Sequence, residues 1–203
     1  MFLGQFVWDV MAWFDWLPVP NPSDMFFLSI GPLITVGLWQ TGVQRLSHAE
    51  WHAAKVDAAA LLVAALAATV AISLPRKGDA SLLQLAVLAA YPITLMMPTS
   101  LALVLILKLR VRLSWRALLL PMATAALTLI WGMWNLAFLT HTLVDGSVFN
   151  MSFSVLALCM GMGIYDLNLD TDADPEWDRR CEGISRMLPL MLVLLAAAGV
   201  ILT

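Results

Sequence analysis

The chain has 203 residues, 61% of them apolar and only 12% charged, with a formal net charge of −3 and a mean hydropathy of +0.85. A soluble domain carries about 25% charged residues, and a nucleic-acid binder needs a basic footprint, so a soluble globular enzyme, a disordered tail and a nucleic-acid partner are all excluded. The apolar stretches are continuous rather than alternating, which rules out a β-barrel and leaves an all-α, polytopic integral membrane bundle with the lipid bilayer as its surroundings.

The first 20 residues carry Phe2, Phe6, Trp8, Trp13, Phe14 and Trp16. They lack a basic leader region and a small-residue cleavage site and contain Asp9 and Asp15, so they do not read as a signal peptide. Rings with polar edges favour the headgroup level. Residues 1–20 are therefore expected to form an interfacial helix stopped by Leu17-Pro-Val-Pro20.

Residues 21–203 are expected to form the transmembrane bundle. A span needs about 20 mainly apolar residues. Six stretches qualify: Asp24–Gln44, with Ser23 as its N-cap, Val56–Leu74, Leu82–Leu107, Trp115–Leu139, Val148–Tyr165 and Met187–Leu202. Nine of the eleven Lys and Arg residues fall in the loops on one side, around Arg45 and Lys55, Lys108–Arg116 and Arg179–Arg186. Only Arg76 and Lys77 fall on the other. The positive-inside rule then puts the basic side in the cytoplasm and the N-terminus outside, in a bacterial inner membrane. The apolar ending at Thr203 leads to the expectation of a membrane portion excised ahead of a cytoplasmic output domain. Asp24, Asp79 and Asp145 each open an inbound span. That pattern fits helix-dipole capping as well as a faint internal repeat.

No nucleophile elbow, zinc-protease motif or phosphate loop occurs, so no catalytic residue is assigned. His48 and His52 share one helix face at a four-residue spacing that can ligate a metal. They lack an evident third ligand, so an interfacial polar patch is the preferred reading and no cofactor is expected. Cys159 and Cys181 lie in unlike settings and read as a buried small hydrophobe and a free thiol. The loop Asp166–Glu182 is acidic, but taking Asp166 or Asp170 as position one puts Thr171 or Pro175 where a calcium loop needs glycine. It reads as a solvated acidic loop.

The outer half of the bundle is richer. Tyr91, Pro92, Trp131, Trp134, Asn135, His141 and Asn150 fall at similar depths. Polar groups in spans face the bundle interior, and a helical proline frees a carbonyl one turn earlier. These seven residues are the candidates for a pocket that takes a small hydrophobic ligand. The competing explanation is interhelical hydrogen bonding plus an ordinary tryptophan belt. Met160-Gly-Met-Gly163 and Gly132 are expected to let helices approach closely.

The segment Pro22-Ser-Asp-Met-Phe-Phe-Leu-Ser-Ile-Gly-Pro32 resembles the opening of the N-terminal multispan regions of bacterial signalling proteins. Ala89-Ala-Tyr-Pro92, with its aliphatic run to Lys108-Leu-Arg110, is similar to their Tyr-Pro-Leu helix and basic stop, although Thr94 and Leu95 stand where that family often has Asp. The resemblance implies a sensory input module ahead of a GGDEF, EAL or histidine-kinase output, working as a homodimer. The alternatives are an accessory subunit of a membrane complex and a small transporter. The latter predicts ionisable residues deep in the spans, whereas Asp57 and His141 read as near the interfaces.

Overall fold

The computed structural model describes residues 2–143, 148–170 and 174–187. Among them regular structure is helical throughout: α1 (Phe2–Trp13), α2 (Pro22–Arg45), α3 (His48–Ser73), α4 (Leu82–Lys108), α5 (Trp115–Leu139) and α6 (Val148–Tyr165). A last helix, α7, covers 175–187. Five of these, α2 to α6, are long and apolar enough to cross a membrane. The expected sixth span lies almost wholly outside the described residues.

The helix starts follow from capping. Asn21 and Asp24, Ser47 and Glu50, and Ser81 and Gln84 form capping boxes, each side chain satisfying a backbone N–H that the first turn leaves orphaned. Two expectations change as a result. Asn21, not Ser23, caps α2, and Ser23 N–H donates to Asn21 Oδ1 at 2.9 Å. The second span begins at His48 rather than Val56, because the Ser47–Glu50 box carries the helix through a polar first turn that an apolar count leaves out. Asp57 is therefore well inside α3, paired with Lys108 Nζ at 2.9 Å, both side chains about one-fifth exposed.

Three helices end in one motif. Asp15, Arg110 and His141 have φ of 53°, 56° and 55°. The following N–H groups of Trp16, Val111 and Thr142 reach back to Met11, Ile106 and Ala137 carbonyls at 3.1, 2.9 and 2.9 Å. This is the left-handed helix stop that glycine usually supplies.

The central helix is α4, which packs against α2, α3 and α5, while α6 lies on α5 and α1 on α2. In the most apolar stretch of α4 61% of the residues are buried, whereas in that of α3 none is fully buried. A helix apolar all round and left uncovered needs an apolar surrounding. The core links Leu38, Leu95, Leu105, Leu120 and Leu127 across α2, α4 and α5. Close approach of one helix backbone to another rests on two glycines. A Cβ on Gly31 would lie 1.9 Å from the Thr94 carbonyl oxygen, and one on Gly163 would lie 2.7 Å from Leu120 N. Thr94 is four residues before Pro98, so α2 meets α4 where the proline leaves a carbonyl without its helical donor. Gly132 and Gly161, by contrast, face open space, so of the glycines expected to bring helices together only Gly163 does so.

The segment after α6 is not a free solvated loop. Leu169 and Cys181 are buried, and Leu169 packs with Ile106, Val111 and Ala117. Arg45 Nη1 donates to the Leu169 carbonyl at 2.9 Å, and Trp177 Nε1 donates to the Val111 carbonyl at 2.9 Å. Arg110 and Arg116 pair with Asp178 at 3.2 Å and Asp166 at 3.5 Å. The acidic charges thus neutralise the basic helix ends, and the apolar residues between them dock.

Candidate functional site

A cavity of about 150 Å³ opens at the α1 end of the bundle, where α1, α2, α4, α5 and α6 converge. Its floor is built by the box that starts α2. Asp24 is the third residue of that helix, and one carboxylate oxygen accepts from Asn21 N–H at 2.8 Å. The other accepts a hydrogen bond from the Tyr91 hydroxyl of α4. Asp24 and Tyr91 are both buried. The same bond network that begins a helix therefore fixes an acid at the bottom of a cavity.

The walls are aromatic. Tyr91 stacks on Trp131 with ring centroids 3.9 Å apart and planes 15° apart. Trp131 also meets Phe153 of α6 at 4.5 Å, Trp134 at 5.6 Å and Phe27 of α2 at 6.1 Å. One indole thus joins α2, α4, α5 and α6. Offset and edge contacts of this kind contribute about 0.5–1.5 kcal/mol each beyond area burial. From α1 come Trp8, Asp9 and Gln5, with Gln5 Nε2 donating to Asp9 Oδ1 at 2.7 Å. α1 reaches this position because Gly4 lets the Phe27 ring lie against its backbone.

Of the seven residues singled out in the sequence, Tyr91, Trp131, Trp134 and Asn150 line this cavity. Pro92 and Asn135 are buried and do not line it; Asn135 Nδ2 donates to the Leu88 carbonyl at 2.6 Å. His141 is exposed beyond the end of α5, in its left-handed stop, and does not line it either. His48 and His52 are exposed at the opposite end, ring centroids 4.7 Å apart. Among the described residues no third His, Cys, Asp or Glu joins them as a metal ligand. Sequence reading missed Asp24, Asp9 and Trp8. The Asn21-to-Asp24 spacing was the available signal for the first; nothing local marks the other two.

The helices that carry the cavity also carry the docked segment. α2 runs from Asp24 to Arg45, which holds Leu169. α4 runs from Tyr91 to Ile106, against Leu169, and its stop at Arg110 pairs with Asp178. α5 runs from Trp131 back to Arg116, paired with Asp166. Within this segment burial pushes the Cys181 thiol up from its ordinary range; nearby Asp178 adds to the rise and Arg110 opposes it. No family model matches the sequence, and no curated protein or solved structure matches it either.

Proposed function

We propose that the chain is a transmembrane sensory module whose α1-end cavity receives a small ligand and whose docked residues, 166–170 and 174–187, report occupancy at the other end. The carrying observation is that α2, α4 and α5 each touch the cavity at one end and hold that segment at the other. Packed helices shift as units of about 1–2 Å, so a change in the stacking around Trp131 is felt at both ends. In this reading the bundle sits in a bacterial inner membrane with the cavity outside and the basic end in the cytoplasm, and works as a dimer. Support for the orientation comes from the nine-to-two division of Lys and Arg between the ends. Support for a signalling role comes from the resemblance of the Pro22–Pro32 and Ala89–Pro92 segments to multispan input regions.

Cys181 is a built-in reporter, since it belongs to the docked segment and is buried there. Its labelling by a maleimide in membranes, followed by mass spectrometry to separate it from Cys159, tests the coupling. Tyr91→Phe, which removes one hydroxyl, and Trp131→Leu are expected to change the Cys181 rate several-fold. Leu129→Ala, on the uncovered face of α5, is expected to leave it alone. An unchanged rate in both cavity variants overturns the reading.

A further inference from the structure

The cavity has a definite chemical sign. Two carboxylates, Asp9 and Asp24, line it, and among the described residues no Lys, Arg or His does. Six of the other eleven lining residues are aromatic: Trp8, Phe27, Tyr91, Trp131, Trp134 and Phe153. An aromatic face is the negative end of a quadrupole and attracts a cation held within about 6 Å of its centroid. A buried carboxylate favours the same charge. An anionic or zwitterionic ligand with its negative end inward meets repulsion at Asp24.

The kind of cation follows from what the walls offer. Calcium and magnesium take about six or more oxygen ligands and zinc three or four protein ligands, and among the described residues no cluster of three His, Cys, Asp or Glu side chains exists. Ring faces cannot replace a metal ion's hydration shell. A primary ammonium carries three N–H donors, each needing an acceptor; each Asp24 oxygen already accepts one bond, from Asn21 N–H or the Tyr91 hydroxyl, and one Asp9 oxygen accepts from Gln5, so the carboxylate lone pairs are partly taken. A nitrogen wrapped in methyl groups needs no hydrogen bonds, gives up little hydration and packs on rings. A volume of about 150 Å³, several waters' worth at ~30 Å³ each, accommodates such a group.

We infer that the cavity binds a methylated organic ammonium of choline size, the charge seated over Trp8 and Trp134 and balanced by Asp24 and Asp9. This deepens the sensory reading and rests on it for its biological meaning. The same chemistry is offered by free choline-like solutes and by the headgroup of phosphatidylcholine.

The test is equilibrium binding of isotopically labelled choline to the full chain in nanodiscs of phosphatidylglycerol. The competitor is 3,3-dimethylbutan-1-ol, which has choline's shape without its charge. Saturable binding is expected. The neutral isostere should compete at least about tenfold more weakly, the scale of one desolvated cation–π contact. Asp24→Asn should weaken binding by a similar factor. If Asp24→Asn does not fold, Asp9→Asn and Trp134→Leu take its place, since neither lies in the capping box. Equal competition by the isostere, or no saturable choline binding, overturns the inference. Nanodiscs containing phosphatidylcholine separate the two sources. Unchanged affinity there identifies a free solute, and lost affinity identifies the headgroup. Cys181 labelling in the same samples keeps the readings apart. Choline binding with no change at Cys181 retains the ligand and removes the sensor; a Cys181 response to Trp131→Leu without choline binding does the reverse.

Discussion

Asn135 supplies from α5 the hydrogen bond that Pro92 removes from α4. Proline at 92 has no N–H to offer the carbonyl four residues earlier, and that carbonyl, Leu88, accepts instead from Asn135 Nδ2 at 2.6 Å in a buried site. In an apolar surrounding a backbone carbonyl left alone costs about 1–3 kcal/mol. The two residues are therefore one device: the proline loosens α4 one turn above the Tyr91 cluster and the amide ties the loose point to the neighbouring helix.

Asn135→Ala is thus expected to lower stability by about 1–3 kcal/mol, read as a fall in melting temperature in detergent micelles. Pro92→Ala restores a helical donor to Leu88, so the same substitution in that background should cost clearly less. Equal costs in both backgrounds would show that the bond carries no weight. Asn135 is consequently unsuitable for probing ligand binding without a folding control, a point that depth along α5 could not reveal.

Gly31 and Gly163 should be intolerant of alanine. The added methyl would meet the Thr94 carbonyl at 1.9 Å and Leu120 backbone at 2.7 Å, and backbone cannot step aside as a flexible side chain can. Overpacking of this kind costs about 1–3 kcal/mol. Gly132→Ala and Gly161→Ala meet open space, and better helix propensity should make them neutral or stabilising by up to about 1 kcal/mol. Thermal melts of the four variants check the contrast.

His141 holds a left-handed conformation with φ of 55°, which costs a non-glycine residue roughly 1–2 kcal/mol. His141→Gly is expected to raise stability by about 1 kcal/mol with choline binding unchanged. A drop in binding would return this residue to the cavity.

The docked segment should be held more by its buried contacts than by its ion pairs. Trp177→Phe deletes the donor to the Val111 carbonyl and should speed Cys181 labelling several-fold. Arg180→Ala removes only an exposed pair with Glu176, worth at most about 1 kcal/mol, and should leave labelling unchanged. The Cys181 thiol is raised by burial in the docked state, so the folded segment holds that proton more tightly than the free chain does. Its stability is complete below the ordinary thiol range, near pH 8.5, and falls as pH rises through it. Labelling should therefore climb more steeply above that pH than labelling of a free thiol.

The long helices are legible because their apolar runs are long; their starts are less so, since the cap of α2 is Asn21 rather than Ser23. α3 was cut short because His48, Glu50 and His52 are polar yet helical. Tyr91, Trp131, Trp134 and Asn150 could be placed near one another by depth alone, since the helices alternate in direction. Asp24 read as a charge at a helix start because its second partner, Tyr91, is 67 residues away. The docking of the acidic segment was illegible for the same reason, as Arg45 finds the Leu169 carbonyl across 124 residues. A count of acids sees only charge there, whereas Leu169, Trp177 and Cys181 decide the outcome.

The relay requires the cavity and the docked segment to lie on opposite faces of a membrane. The most direct measurement places single cysteines at Asp79, near the cavity end, and Leu113, between α4 and α5, both exposed, in a chain lacking Cys159 and Cys181. A membrane-impermeant maleimide is then applied to intact bacteria. Position 79 should label at once and position 113 only after permeabilisation. Labelling of 113 in intact cells with 79 protected, or of both together, contradicts the arrangement on which the sensory reading stands.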